Sequence, residues 1–314
     1  MRATALECVG ELAEKDDRVF FIGSDLGQGS AQAFRDAHPD RFFMEGIAEA
    51  NLIGMAAGFA FEGKIPYVNT IATFLTRRCL EQVAVDLCLH NLSVRLIANG
   101  GGMVYAPLGP THLAVEDIAL MRALPNMTII APADADEMRR LMPLTVEYDG
   151  PIYIRLAKGY DPIVTSDAVP FAIGKALPVR DGEDALVLTT GVTLGPALEA
   201  AERLDSGGVS TGVLHVPTVK PLDEQTILEA ASSVRAVVTI EEHTIYGGLG
   251  SAVAEIMAES RLTGSVRFQR IGLPDVFPDQ YGSQASLMER YKITTDHLVS
   301  VVKDSVEVQS ITVA

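Results

Sequence analysis

The sequence predicts an α/β fold with two doubly wound domains, each a mainly parallel sheet covered by helices. Two observations lead to this prediction. Short apolar runs of strand length alternate with helix-period patterns along the chain, and one stretch rich in proline, glycine and acidic residues interrupts the alternation near its middle. The length of 314 residues is enough for about two domains, each with a core of its own.

Five apolar runs in the first half have the length of buried strands. The run Arg18–Ser24 combines aromatic and aliphatic residues and ends at small ones, which is typical of a strand covered on both faces. Four further runs follow in chain order at Pro66–Thr70, Ser93–Ala98, Met127–Ala131 and Ile152–Leu156.

Helix patterns lie between these strands. Two groups of apolar residues each share one helical face: Leu52, Met55, Ala56 and Phe59, and then Leu80, Val83, Leu87 and Cys88. Asp134, with Glu137 three residues later, marks a helix start because the aspartate oxygen can accept the unpaired amide hydrogens of a first turn.

A second α/β series follows the interruption at Gly159–Asp184. Its strands are predicted at Ala185–Thr190, Gly212–Val216, Ala236–Glu241 and Val266–Ile271, and its helices start near Pro196, Asp223 and Gly248. We therefore expect one domain over residues 1–165 and another over residues 175–314.

Composition excludes several classes of function. With 25 Lys+Arg against 41 Asp+Glu, the net charge of −16 argues against a nucleic-acid or anionic-membrane surface. No apolar run approaches a membrane span, and the N-terminus lacks a signal-peptide pattern. The three cysteines show no metal-ligand spacing, so we expect buried reduced thiols, no metal site on this chain and a cytoplasmic location.

Four segments of the first domain follow strands, where ligands bind in open parallel sheets. They have the sequences SDLGQGS, EGIAEAN, TFLTRRCLEQ and NGGGMVYAPLGPTH. The glycines of the last segment allow either close approach to a ligand or simply a turn. Glu49 is either an exposed carboxylate favoured by the helix dipole or an acid that bonds a ligand nitrogen, and His112 is either a proton donor or incidental.

Five separated motifs occur in the order found in one known family. They read GSDLG, EGIAEANLIGMAAGFA, ATFLTRRCLEQ, GPTHLAVEDIALMRALPNMTIIAPADADE and IEEHTIYGGLGSAVAE. In this order the chain resembles the C-terminal two-thirds of transketolases and deoxyxylulose-phosphate synthases, from about Arg2 to about Leu298. The resemblance implies a pyrimidine-binding thiamine-diphosphate fold followed by a transketolase C-terminal-like domain.

The resemblance also implies a cofactor and a partner. Enzymes of this family bind thiamine diphosphate and Mg²⁺ through a GDG motif in a further domain, and no GDG occurs here. The chain therefore looks like one part of a split transketolase that needs a separate diphosphate-binding subunit. An α₂β₂ heterotetramer is expected, and the chain alone should be inactive.

By resemblance, the reaction moves a two-carbon ketol unit from a ketose phosphate to an aldehyde. Glu49 matches the glutamate that bonds N1′ of the cofactor's aminopyrimidine, and Phe74 matches an aromatic residue of the same pocket. Ile47 and Arg77 are expected in that pocket too. His112 matches a histidine that contacts substrate oxygens, while Arg2 and Ser30 lie near the family's phosphate contacts.

Departures from the family pattern put the standard sugar substrates in question. Leu108 stands where an aspartate reads a substrate hydroxyl, and Lys158 replaces a phosphate-binding arginine, which loses the bidentate fork. Arg77 occupies an often aromatic place, and Ala50 a frequent glutamine. An unusual sugar donor or a lipoyl or carrier-protein thiol acceptor would fit these changes.

Three alternatives stay open. The first is the β-subunit of a 2-oxo-acid dehydrogenase, and the second is a non-catalytic partner subunit. The third concerns only the turn Glu241-Glu242-His243 before the glycines at 247, 248 and 250, which resembles a phosphate cradle. Because two carboxylates at its mouth would repel phosphate, we favour close helix–sheet packing and a dimer contact there.

Overall fold

The computed structural model of the chain describes residues 1–25, 29, 31–157, 159, 161–167, 169–262 and 264–307. Over this part it has two separate sheets, one of seven strands and one of five. Apolar side chains pack into clusters on both faces of each sheet, so helices cover both faces. The predicted α/β fold with two doubly wound sheets is confirmed.

The first sheet is parallel except at one edge. Across the sheet its strands are β10 (Thr218–Lys220), β5 (Thr128–Ile130), β6 (Ile152–Leu156), β4 (Arg95–Asn99), β3 (Ile65–Ile71), β1 (Val19–Gly23) and β2 (Phe42–Met44). All five runs predicted for this half contain a strand. The two unpredicted strands, β2 and β10, have three residues each and are too short to show a period of two.

The second sheet is also mostly parallel. Its strands run in the order β12 (Arg267–Leu273), β11 (Ala236–Thr244), β8 (Ala185–Thr189), β9 (Thr211–His215) and β7 (Leu177–Arg180). The four predicted strands are confirmed. Strand β7 lies inside the stretch read as an interruption and pairs antiparallel with β9, and it carries Pro178, a residue that sheets accept at an edge.

Helices connect the strands of both sheets. The first half has α1 (Arg2–Ala13), α2 (Gln32–Ala37), α3 (Glu49–Phe61), α4 (Ala72–Thr76), α5 (Leu80–Gln82), α6 (Asp117–Arg122) and α7 (Ala135–Leu141), with a π-helical segment at Val83–Cys88. The second half has α8 (Leu194–Ser206), α9 (Glu224–Ser232), α10 (Leu249–Glu259), α11 (Gln284–Arg290) and α12 (Thr295–Glu307).

Alternation along the strands divides the core of the first domain between two faces. On β1, Phe21 packs on the face covered by α1 and α7, while Ile22 packs on the face covered by α3. On β4, Ile97 packs on the face covered by α1 and α7, and Leu96 packs on the face covered by α3. Such strands read as continuous apolar runs because both of their faces are buried.

The predicted helix starts carry the expected caps. Asp134 accepts the amides of Asp136 and Glu137 at the start of α7, and Asp223 accepts that of Thr226 at the start of α9. The Glu137 carboxylate accepts the Ala133 amide and lies 3.0 Å from His215 Nε2. Helix α8 begins at Leu194, slightly before the predicted Pro196.

One short strand connects the two halves of the chain. Strand β10 follows β9 in sequence, yet it pairs antiparallel with β5 of the first sheet, with Thr218 opposite Ile130. The Ala131 amide donates to the Pro217 carbonyl at 2.7 Å, and the Gly191 amide donates to the Ala131 carbonyl at 3.0 Å. The first sheet is therefore completed by a strand from the second half.

None of the described helices is long and apolar enough to cross a membrane. The three cysteines are free and buried, as expected. Burial raises the pKa of the Cys79 thiol to about 12, and neighbouring Glu49 acts in the same direction. These thiols are therefore protonated and unreactive at neutral pH.

Replacing Asp134 by alanine is expected to lower the free energy of unfolding by about 2–4 kcal/mol. Its carboxylate accepts the amides of Asp136, Glu137, Val164 and Thr165 and the Thr165 hydroxyl. Burial raises the pKa of Asp134, but these bonds outweigh it and lower the pKa overall, so the stabilisation is lost as pH falls. Urea unfolding at neutral and acidic pH measures both effects.

Asp136→Ala is the matched control, because Asp136 is an exposed acid in the same turn. It should cost no more than about 0.5 kcal/mol through the helix dipole. Equal losses in the two variants would contradict the role given to the Asp134 hydrogen bonds.

Candidate functional site

The carboxyl ends of four neighbouring strands form one edge of the first sheet. In the order β4, β3, β1, β2 these strands lead into the glycine-rich loop, helix α4, the segment after Gly23, and helix α3. The sheet therefore brings together the described parts of the four sequence segments that were expected to bind a ligand, with residues 26–28 and 30 outside the described residues.

Glu49 is the first residue of α3 and is almost fully buried. Its Oε2 accepts a hydrogen bond from Arg78 Nη1 at 2.6 Å, and the arginine side chain is 45% exposed against 1% for the glutamate. The interpretation of Glu49 as an exposed carboxylate at a helix start is therefore wrong. The buried carboxylate is thus paired with a guanidinium that lies partly at the protein surface.

Phe74 and His112 meet at this edge. Their ring centroids lie 5.3 Å apart with the planes inclined by 67°, although the two residues come from α4 and from the far end of the glycine-rich loop. The guanidinium carbon of Arg78 lies 4.0 Å from the centre of the Phe74 ring. Arg78 thus links Glu49 to Phe74, and Phe74 contacts His112.

Arg77 forms hydrogen bonds with the segment that follows His112. Its Nε lies 2.7 Å from Thr73 Oγ1 and 2.8 Å from a Glu116 carboxylate oxygen, and its Nη2 donates to the Leu113 carbonyl at 2.8 Å. Burial raises the pKa of Glu116, and the charge of Arg77 partly offsets that effect. Arg77 is therefore engaged with its own chain on both sides of His112.

Buried polar side chains lie between the strand ends. Ser24 donates to Thr70 Oγ1 at 2.8 Å, and Asn99 Nδ2 donates to Asn69 Oδ1 at 2.7 Å and to the Thr70 carbonyl at 3.0 Å. These four residues are at most 2% exposed. They fix the strand ends to one another beneath the site.

Side chains of this chain occupy the space beside the glycines of the glycine-rich loop. The amides of Gly100 and Gly101 both donate to the Leu156 carbonyl, and that of Gly102 donates to Ala114. A Cβ on Gly102, which has φ +74°, would lie 2.3 Å from the Glu242 carboxyl carbon. The expected close approach is therefore made by residues of this chain, and the bonded amides are not available to a phosphate.

The other candidate residues are spread around the edge. Ile47 is 70% exposed and Leu108 49% exposed. Arg2 begins α1 near Tyr105, where burial raises the pKa of the phenol and the charge of Arg2 partly offsets that effect. Ser30 and Lys158 lie outside the described residues.

A buried ion pair joins the two halves behind the glycine-rich loop. Arg155 donates from Nε to Asp117 at 2.8 Å, and from Nη2 to the carbonyls of Ala114 and Glu242 at 3.0 and 2.9 Å. Tyr153 also donates to Asp117, at 2.7 Å. The two ionic side chains are 6% and 0% exposed, so the pair is held by hydrogen bonds in a site without bulk water.

The turn before α10 has no room for a phosphate. The Glu241 carboxylate accepts the amides of Leu249 and Gly250 at 2.7 and 2.8 Å, so it already fills the helix N-terminus. Burial lowers the pKa of His243 to about 4, and the neutral ring donates from Nδ1 to the Thr244 carbonyl and accepts the Ala119 amide at Nε2. This geometry supports the helix–sheet packing favoured from the sequence.

Comparison with known protein families identifies both halves. The pyrimidine binding domain of transketolase matches residues 1–160, and the transketolase C-terminal domain matches residues 174–298. The chain belongs to the transketolase family. The enzymes of this family use thiamine diphosphate.

Relatives match nearly the whole chain. A putative uncharacterized transketolase family protein of Sinorhizobium fredii is 43% identical over 296 residues, covering 93% of this chain and 85% of its own length. A 6-deoxy-6-sulfo-D-fructose transketolase subunit of Clostridium sp. is 36% identical over 308 residues, covering 98% and 94%. Among solved structures, a split gene transketolase in an inactive β₄ tetramer gives a TM-score of 0.88 at 35% identity and covers 97% of both chains.

Several residues around the candidate site were not singled out from the sequence. Arg78 carries no motif of its own, and it lies two residues past the end of α4. Asp117 and Arg155 are recognised only through their mutual contact. Tyr281 of the second half contacts the loop at Gly109, where an added Cβ would lie 2.9 Å from the tyrosine ring. Within the described residues, no three His, Cys, Asp or Glu side chains are arranged to hold a metal ion.

Glu242→Gln is expected to flatten the pH dependence of stability between about 4.5 and 7. Burial raises the pKa of Glu242 from 4.5 to about 7, although Arg155 and the Met103 amide oppose the shift. The folded chain therefore loses stability as pH rises through this window. Glutamine keeps the acceptor for the Met103 amide, which donates to Glu242 at 2.6 Å. Melting temperatures measured from pH 4.5 to 8 test this.

The slope should decrease without vanishing, because the pKa of Glu241 is also raised to about 7 by burial. Glu202→Gln, on the exposed face of α8, serves as the control and should leave the profile unchanged. A Glu242→Gln profile identical to that of the wild type would show that Glu242 does not titrate in this range.

Proposed function

We propose that this chain is the pyrimidine-binding, C-terminal subunit of a two-subunit transketolase dependent on thiamine diphosphate. The observation that carries the proposal is the convergence of Glu49, Phe74 and His112 at one edge of the first sheet, linked through Arg78. A buried acid can exchange a proton, an aromatic ring can stack on a ligand, and a histidine can donate a hydrogen bond. Here these three side chains come from three separate segments of the chain. A non-catalytic subunit would not need them together.

The residues present fit the aminopyrimidine half of the cofactor. The Glu49 carboxylate would share a proton with N1′, and Phe74 would cover one face of the ring with Ile47 at the margin. Bound thiamine diphosphate supplies the nucleophilic carbon and the electron sink for cleavage of a bond next to a carbonyl. Glu49 controls the proton on which that nucleophile depends, in a place from which water is largely excluded.

His112 would act on the substrate, and Arg77 would position it. The half-buried imidazole can donate to a substrate oxygen as negative charge develops there. Arg77 bonds the backbone at Leu113 and the side chain of Glu116, so it sets the path of the loop on which His112 lies. We therefore assign Arg77 to positioning and, at most secondarily, to cofactor contact.

We propose a ketose with an anionic group as donor. The relative named for 6-deoxy-6-sulfo-D-fructose acts on such a sugar, and it matches this chain over nearly its whole length. Leu108, half-exposed at the loop, offers no hydrogen bond to a substrate hydroxyl, which agrees with an atypical sugar. Arg2, Lys158 and Ser30 are the candidate contacts for the anionic group.

We infer that a separate subunit carries the GDG motif and holds Mg²⁺ and the diphosphate. The relative named as a transketolase subunit and the inactive β₄ tetramer of a split transketolase support this arrangement. We propose an α₂β₂ heterotetramer in the cytoplasm, with the domains of this chain dividing between residues 165 and 175. The acceptor is then an aldehyde or, as the second possibility from the sequence, a carrier thiol.

Glu49→Gln is expected to lower the turnover of the assembled complex by about a hundredfold or more, because glutamine cannot share the proton that the carboxylate shares. The measurement is steady-state activity with thiamine diphosphate and Mg²⁺, together with gel filtration to verify assembly. Glu62→Gln, an exposed glutamate at the other end of α3, is the control. Full activity of Glu49→Gln would refute the assignment.

A donor panel distinguishes the reaction types. With the diphosphate-binding subunit present, ketose phosphates or sulfonated ketoses plus an aldehyde should give products longer by two carbons, detected by mass spectrometry. Pyruvate turnover with acylation of lipoate would instead identify a 2-oxo-acid dehydrogenase subunit. The chain alone should be inactive, and full activity without a partner would contradict the two-subunit proposal.

A further inference from the structure

Two adjacent arginines follow the end of helix α4, and their side chains contact different parts of the chain. Arg77 donates to the Leu113 carbonyl and lies 2.8 Å from a Glu116 carboxylate oxygen. Arg78, two residues past the end of α4, lies over the ring of Phe74. It reaches both groups that we assign to the aminopyrimidine.

Arg78 contacts the same two side chains, Glu49 and Phe74, that we assign to the cofactor's aminopyrimidine. Its Nη1 donates to Glu49 Oε2 at 2.6 Å, and its guanidinium carbon lies 4.0 Å from the centre of the Phe74 ring. A guanidinium is planar, cationic and rich in N–H donors, so it stacks on an aromatic face while bonding a carboxylate. A protonated aminopyrimidine shares these properties.

We propose that Arg78 competes with the aminopyrimidine of thiamine diphosphate for Glu49 and Phe74 and must leave these two side chains when the cofactor binds. The inference rests on the function proposed above, because it takes Glu49 and Phe74 as the pyrimidine contacts. A second planar group cannot enter between the guanidinium and the ring at 4.0 Å. The Glu49 Oε2 atom that accepts the hydrogen bond from Arg78 is likewise not available to a ligand nitrogen.

This arrangement has a physical benefit for the empty subunit. Glu49 is buried, and a buried carboxylate without a partner is strongly unfavourable. Arg78 neutralises it, while its own side chain remains 45% exposed and free to swing outward. The pair therefore stabilises the unloaded subunit and reduces its affinity for the cofactor, because only the fraction with Arg78 displaced can bind.

The test is equilibrium binding of thiamine diphosphate with Mg²⁺ to the complex of this chain and its diphosphate-binding subunit, by titration calorimetry. Arg78→Ala should bind the cofactor about tenfold more tightly than the wild type, since the competing occupant is removed. Arg78→Lys keeps the charge but not the plane, and its affinity should be intermediate. Without cofactor, Arg78→Ala should melt at a lower temperature because Glu49 loses its partner.

Arg139→Ala is the matched control. Arg139 is 49% exposed and pairs with Glu7 at 2.9 Å, but it lies on the α1–α7 surface. Its removal should leave cofactor affinity unchanged. If Arg78→Ala is unstable, Arg78→Lys decides the matter through the same titration.

The outcomes separate the two proposals. Equal or weaker binding by Arg78→Ala and Arg78→Lys, with normal binding by the wild type, would overturn the role of Arg78 and leave the proposed function standing. A wild-type complex that does not bind thiamine diphosphate would overturn the proposed function, and the inference about Arg78 with it.

Discussion

The placement of the candidate site depends on one buried guanidinium. Arg155 stands at the end of a central strand and bonds Asp117, the carbonyl of Ala114 and the carbonyl of Glu242. The first two lie just beyond the loop that ends in His112, and the third belongs to the second half of the chain. Desolvating such a charge costs several kcal/mol per ion, and only full bonding offsets it. A substitution that left any of these partners unsatisfied would therefore disturb the loop and the contact between the halves together.

The loop is held from the opposite side by Arg77, so His112 is fixed between two arginines with different surroundings. Arg155 is buried and donates from Nε and Nη2 to three acceptors. Arg77 is about one-third exposed and bonds the side chains of Thr73 and Glu116 as well as the Leu113 carbonyl. Arg78, the next residue, is the most exposed of the three and faces a carboxylate rather than carbonyls. The exposure of these three arginine side chains thus increases from Arg155 through Arg77 to Arg78.

Sequence patterns predict the architecture well because the long strands are buried on both faces and read as continuous apolar runs. They miss β2 and β10, which are three-residue strands that exist only through pairing with a neighbour. The motifs single out Glu49, Phe74 and His112 but leave the glycine-rich loop open between a ligand contact and a turn, since nothing local reveals that Arg155 and Glu242 occupy the space beside its glycines. Sequence patterns miss Arg78 for the same reason, because its hydrogen-bond partner Glu49 is 29 positions away in the chain.

Strand β10 makes the two halves inseparable as folding units. A chain that stopped near residue 165 would leave the short β5 as an open sheet edge, with unpaired amides and carbonyls available to any other strand, and such edges promote aggregation. The second half would in turn carry a strand without a sheet to join. A division of the gene between the two domains described here would therefore separate a sheet from its own edge strand.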